Sequence, residues 1–171
     1  LPASIALILG SEQIMSALFG YGSFDKTAVL NSSLALYYFA LGLPAFALIK
    51  VFSSFFFANH NTKTPFYISL ISVLLNIFIS VYYFNEVGFI IIPIATTISS
   101  WFNGILLFIF LKNKNLFSFN KIFLIKFVKI IIASILMGFV FQFLLNFFQY
   151  DLAFEQKGKS FYLVLSVLLG L

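Results

Sequence analysis

With 171 residues, 62% of them hydrophobic and 9% charged, and a mean hydropathy of +1.09, the chain lies far from soluble domains, in which ~25% of residues are charged. It reads as an integral membrane protein with no room for a soluble catalytic module beside its spans. The net charge of +5 does not point to nucleic acid, because the ten basic residues are all lysines set beside apolar runs, as at cytoplasmic loops. The absence of cysteine excludes disulfides, thiolate metal sites and thiol nucleophiles.

The fold class expected from the runs is an all-α polytopic membrane protein of about five to six transmembrane helices. Residues 1–11 form the end of a first span; Ser11, Glu12 and Gln13 interrupt it before a short interfacial helix over 14–19. A turn at Gly20 to Ser23 then leads into residues 27–58, apolar except for Lys50 and roughly 48 Å long if helical, more than a bilayer needs. Gly42 and Pro44 are expected to kink it. The polar turn from Asn59 to Thr64 follows, with Pro65 in the first turn of the next helix and His60 as a solvated interfacial residue.

The third span is expected over 66–84, with Ser69, Ser72, Asn76 and Ser80 on one face. A short loop at Asn85 and Glu86 leads to the fourth, over 87–111, where Thr96, Ser99, Ser100 and Asn103 share a face and Pro93 is expected to introduce a bend. Both faces should look toward other helices, not lipid. Lys112, Lys114, Lys121, Lys126 and Lys129 surround the next connection; a fifth span covers 123–150 and a sixth begins at 160–171. The chain opens at Leu1 and ends within an apolar run, so it reads as a portion of a longer polytopic protein.

Orientation follows from lysine counts on alternate loops. Lys63 and the five lysines of 112–129 lie on one side, against Lys26, Lys157 and Lys159 on the other, which makes the 59–65 turn and the 112–129 loop cytoplasmic.

Four landmarks in order, Leu1-Pro2-Ala3-Ser4-Ile5-Ala6-Leu7, the run from Leu41 to Val51, Asn61-Thr62-Lys63-Thr64-Pro65, and the run from Ala95 to Asn103, resemble the MurJ/MviN family. They cover residues 1 to about 112, and the remainder resembles the family in topology. The resemblance implies a lipid II flippase of the bacterial inner (cytoplasmic) membrane, a two-lobed member of the MOP exporter superfamily with typically fourteen helices. This chain would hold the ninth through the start of the fourteenth, most of the second lobe. The family's orientation of the ninth helix agrees with the lysine count. Implied partners are lipid II and membrane lipids, with no nucleic acid and no cofactor beyond a possible sodium ion as coupling ion. Another MOP exporter, such as an O-antigen or polysaccharide-unit flippase, is the alternative. A membrane enzyme acting on polyprenyl-phosphate sugars is a weaker one, since the five acids are scattered singly.

A flippase breaks no bond; it needs a hydrated, cationic path for a charged head group and a groove for the lipid tail. Lys50 is the candidate for a cavity charge. Its other reading is snorkelling toward the polar turn nine residues on. The resemblance also implies that Asn76 and Thr96 could hold sodium, although Ser80 stands where a carboxylate is expected one turn after Asn76. The other reading of that pair is ordinary hydrogen bonding between helices.

Overall fold

The computed structural model describes residues 1–21, 25–114, 121–148 and 159–170. Every regular element among the described residues is helical: α1 (Pro2–Leu9), α2 (Ser11–Phe19), α3 (Lys26–Ala58), α4 (Lys63–Val87), a 3-10 turn (Gly88–Ile90), α5 (Ile91–Asn113), α6 (Lys121–Phe147) and α7 (Lys159–Gly170). Among these residues three helical stretches are long and apolar enough to cross a membrane, 26–58, 63–113 and 125–147, or up to four if the bent pair α1 and α2 is one span. The 51-residue stretch would be ~77 Å long if straight. It folds back on itself instead, because Asn76 of α4 meets Thr96 and Ser99 of α5 while Ser69 meets Asn103, an antiparallel register.

The boundaries correct several expectations. The first span and the interfacial helix form a pair bent by 75°, and the break falls at Gly10, one residue before the polar cluster. No loop forms at Asn85 and Glu86: α4 continues through them to Val87. Both residues are tolerated in a helix, and the stop is set by Gly88, whose φ of 73° and ψ of −155° lie in a region open only to glycine. Pro93 falls in the first turn of α5, where its missing N–H would have had no intrahelical partner, so it starts a helix instead of bending one. Helix α3 runs from Lys26 to Ala58 with Pro44 inside it, close to the expected 27–58. The connection expected over 112–129 is shorter than expected, since α5 runs to Asn113 and α6 begins at Lys121; residues 115–120 between them, and 151–158 of the charged loop expected over 151–160, lie outside the described residues.

The turn before α4 shows how a few polar atoms organise a reversal. Phe56 O accepts the amides of Asn59 and Asn61, and His60 takes a φ of 53°. Asn61 Oδ1 accepts the Thr64 amide and hydroxyl, each at 3.2 Å, so the capping role falls one residue before the helix's own flanking residue. Pro65 lies in the first turn of α4, as expected.

The helices group into two units, one of Leu1–Ala40 with Ile125–Leu171 and one of Leu41–Leu124, and the division falls inside α3. In the first, Ala17, Phe141, Leu145 and Leu163 form a buried cluster, with Ile14, Phe148 and Tyr162 against it. Ser160 Oγ donates to Ala17 O at 2.6 Å, tying α7 to α2. In the second, Phe56, Ile68, Leu107 and Leu111 join the end of α3, the start of α4 and the end of α5. The 59–65 turn and Lys112 therefore sit at the same end of this unit, the arrangement the lysine count requires.

At the start of α3, Asp25 Oδ1 accepts the Ala28 amide and the Thr27 hydroxyl, both at 2.8 Å. These bonds favour the carboxylate and hold its pKa below the ordinary 3.8, with the Ala28 amide the larger cause. A lowered pKa means that the cap is fully present above pH ~4 and is lost as pH falls through the folded value. Asp25→Ala is expected to speed hydrogen exchange at the Ala28 amide, Asp25→Asn to restore protection, and the wild type to lose protection only below pH ~4.

Candidate functional site

The polar faces of α4 and α5 meet across the turn at Gly88, and α3 lies against them. Asn76 Nδ2 donates to Thr96 Oγ1 at 3.1 Å and to Ser99 Oγ at 3.2 Å. Asn103 Nδ2 reaches Ser69 Oγ at 3.4 Å. Beside this seam runs a groove of about 380 Å³, lined by Phe46 and Ile49 of α3, by Ser69, Ser72, Val73 and Asn76 of α4, and by Thr96, Ser99, Ser100 and Asn103 of α5. All of the two polar rows read from the sequence except Ser80 thus line one groove.

Its electrostatics come from hydroxyls and amides alone, since none of the lining residues is ionisable. Four hydroxyls direct their hydrogens to backbone carbonyls one turn back: Ser72 to Ile68 O, Thr96 to Ile92 O, and Ser99 and Ser100 to Thr96 O. Oxygen lone pairs are therefore what these side chains offer to their surroundings. Asn103 is 8% exposed and its Oδ1 has no hydrogen-bond partner; Ser80 Oγ, nearer the Gly88 end, is likewise buried and unpartnered.

Asn76 and Thr96 are thus brought together, joined by an amide N–H donated to a hydroxyl oxygen. In this orientation the nitrogen of Asn76, not its carbonyl oxygen, faces both hydroxyls. The pair as arranged is a hydrogen-bonded clasp between α4 and α5.

Lys50 is not brought into this groove. It is exposed on α3, and its carbonyl accepts the Ser54 hydroxyl at 2.9 Å. On the helix it lies roughly 40° from Phe46, which lines the groove. It also shares a stripe with Ser53 and Phe57, which line a second, open groove of about 610 Å³ beside the 62–67 turn. Ser69 lines both grooves, so Lys50 occupies the stretch of α3 between two recesses.

Two residues hold α3 against α5, a role the sequence reading gave to neither. A Cβ at Gly42 would lie 3.0 Å from Thr97 Oγ1 and 3.5 Å from Thr97 Cα, so the glycine permits close contact. Trp101 Nε1 donates to Leu41 O at 3.1 Å. The available signal was the single tryptophan of the chain within a polar-faced apolar helix, since its N–H needs a partner away from water.

The family model described as "Lipid II flippase MurJ" matches residues 1–160. The chain belongs to the MurJ family. A probable lipid II flippase MurJ of Thermotoga maritima is 36% identical over 152 residues, covering 89% of this chain and 30% of the relative. The corresponding protein of Rhizobium meliloti is 41% identical over 110 residues, covering 63% and 20%. A solved structure of the lipid II flippase MurJ in an inward closed conformation matches with a TM-score of 0.78 and 26% identity, over 99% of this chain and 33% of that one. The chain thus spans between a fifth and a third of these MurJ proteins. The family match runs to residue 160, well past the last sequence landmark at Asn103, so the MurJ assignment covers α6 as well.

Proposed function

We propose that this chain is part of a lipid II flippase that carries the lipid-linked peptidoglycan precursor from the cytoplasmic to the periplasmic leaflet of the bacterial inner membrane by alternating access. The observation that supports this most strongly is the family match over nearly the whole chain. In this reading the helices supply most of the second lobe, as five complete or partial crossings and the start of a sixth. The 59–65 turn and the connection between α5 and α6 face the cytoplasm. Lipid II and the surrounding lipids are the partners, and no covalent step takes place.

The groove of α3, α4 and α5 supports a polar path at membrane depth. Lys50, between the two grooves, supplies a point charge that attracts the diphosphate of the head group. The test uses the full-length protein in proteoliposomes with fluorescently labelled lipid II. The wild type is expected to move lipid II between leaflets; no movement under an imposed gradient would overturn the flippase reading. Lys50→Met is expected to lower the initial rate about tenfold or more, the effect of removing a favourable charge contact at low dielectric, while Lys50→Arg keeps most of it. Wild-type transport by Lys50→Met would remove Lys50 from the mechanism and leave the flippase reading intact.

A further inference from the structure

We propose that the groove between α3, α4 and α5 is a binding site for uncharged hydroxyl groups, with Asn103 Oδ1 as its anchoring acceptor. Asn103 is 92% buried by its 8% exposure, and it lines the groove with its Oδ1 unpartnered. A buried acceptor without a donor marks a missing partner, ordinarily a water or a ligand group. Exchanging the amide's two ends does not remove the need, because the end turned from Ser69 lacks a partner in either orientation.

The chemistry of the occupant follows from the lining. With the hydrogens of Ser72, Thr96, Ser99 and Ser100 directed at backbone carbonyls, the side chains present oxygen lone pairs. The complementary ligand is therefore an O–H donor. Among the described residues no carboxylate lines the groove, so they offer an uncharged ligand its match. A volume of about 380 Å³ holds several molecules of ~30 Å³ each, and the polar lining gives each the two to four contacts a bound water requires. The same donor chemistry has two sources, ordered water and the hydroxyls of a lipid-linked sugar. The proposal concerns the site itself and stands whether or not the chain's full protein moves lipid II.

The experiment is thiol labelling of the full-length protein, freed of any other cysteine, in proteoliposomes with a small hydrophilic methanethiosulfonate. Ser69→Cys places the thiol in the groove. Ile71→Cys places it at nearly the same depth, roughly 160° around α4, where Ile71 is 50% exposed. The cysteine at 69 is expected to react at least ~10-fold faster than that at 71, because hydrocarbon excludes the reagent and the groove does not. Equal rates would overturn the proposal. Adding Asn103→Leu is expected to slow labelling at 69 several-fold, and an unchanged rate would overturn the role of Asn103. Should that variant fail to accumulate, Asn103→Val removes the same acceptor with a smaller side chain and carries the same two outcomes. Repeating the labelling with lipid II separates the sources: protection supports sugar hydroxyls, an unchanged fast rate supports water, and both sustain the site.

Discussion

Replacing Phe141 by alanine is expected to destabilise the first unit by about 2 to 3 kcal/mol. In a soluble core this substitution combines a transfer loss with a cavity loss and costs about 3 to 5 kcal/mol. Lipid chains are as apolar as the side chain, so the transfer part falls away in a membrane protein and the packing part remains. Removing roughly 100 Å³ at about 24 cal/mol per Å³ accounts for that remainder. Phe141 has 0% exposure and packs with Ala17, Leu145 and Leu163; its ring would lie 2.9 Å from a Cβ on Gly10, where α1 and α2 bend. Phe139, two residues away, is 71% exposed, and Phe139→Ala should change little because lipid refills the space. Thermal unfolding of the full-length protein in mixed micelles compares the two. Equal losses would show that α6 does not bury the face that carries Phe141.

Gly42→Leu is expected to separate α3 from α5 and abolish transport by the full-length protein. Two effects oppose each other. Leucine favours a helix over glycine by about 0.8 kcal/mol. Against this, the new Cβ meets Thr97 at 3.0 and 3.5 Å before the rest of the side chain is placed, and overpacking of this kind costs about 1 to 3 kcal/mol. Loss of the Trp101 to Leu41 hydrogen bond adds about 0.6 kcal/mol or more. The balance is destabilising for leucine. For Gly42→Ala the Thr97 hydroxyl need shift only a few tenths of an ångström, so near-normal stability and transport are expected. The unfolding midpoint and the lipid II translocation rate of both variants check this. A fully active Gly42→Leu protein would show that the close contact between α3 and α5 has no part in transport.

The asymmetry between these two sites shows what could be read from the chain. Membrane residence and helical class follow from composition, because 62% hydrophobic residues with 9% charge leave helices as the economical way to satisfy backbone groups in hydrocarbon. The polar rows Ser69, Ser72, Asn76 and Thr96, Ser99, Asn103 were legible too, since a 3.6-residue period puts them on one face whatever lies opposite. The turn at 59–65 was legible because Asn, Thr and Pro carry their conformational preferences locally.

Other features depended on atoms distant in sequence. Asn85 and Glu86 look like a loop by polarity, yet the helix continues to the one residue whose φ of 73° is open only to glycine. Pro93 looks like a kink until the helix start at Ile91 places it in the first turn. Glycine at 42 was read with Pro44 as a kink, and its part in close packing shows only once Thr97 lies 3.0 Å from its Cβ position. The family resemblance suggested pairing Asn76 with Thr96, but neither it nor periodicity carries information on which end of the amide faces the hydroxyls. That orientation is set by the hydrogen bonds to Thr96 and Ser99 together. Fold class and polar faces are local properties of residue type and spacing. Close approach, hydrogen-bond direction and the unpartnered Asn103 oxygen belong to helices that meet only after the chain has folded.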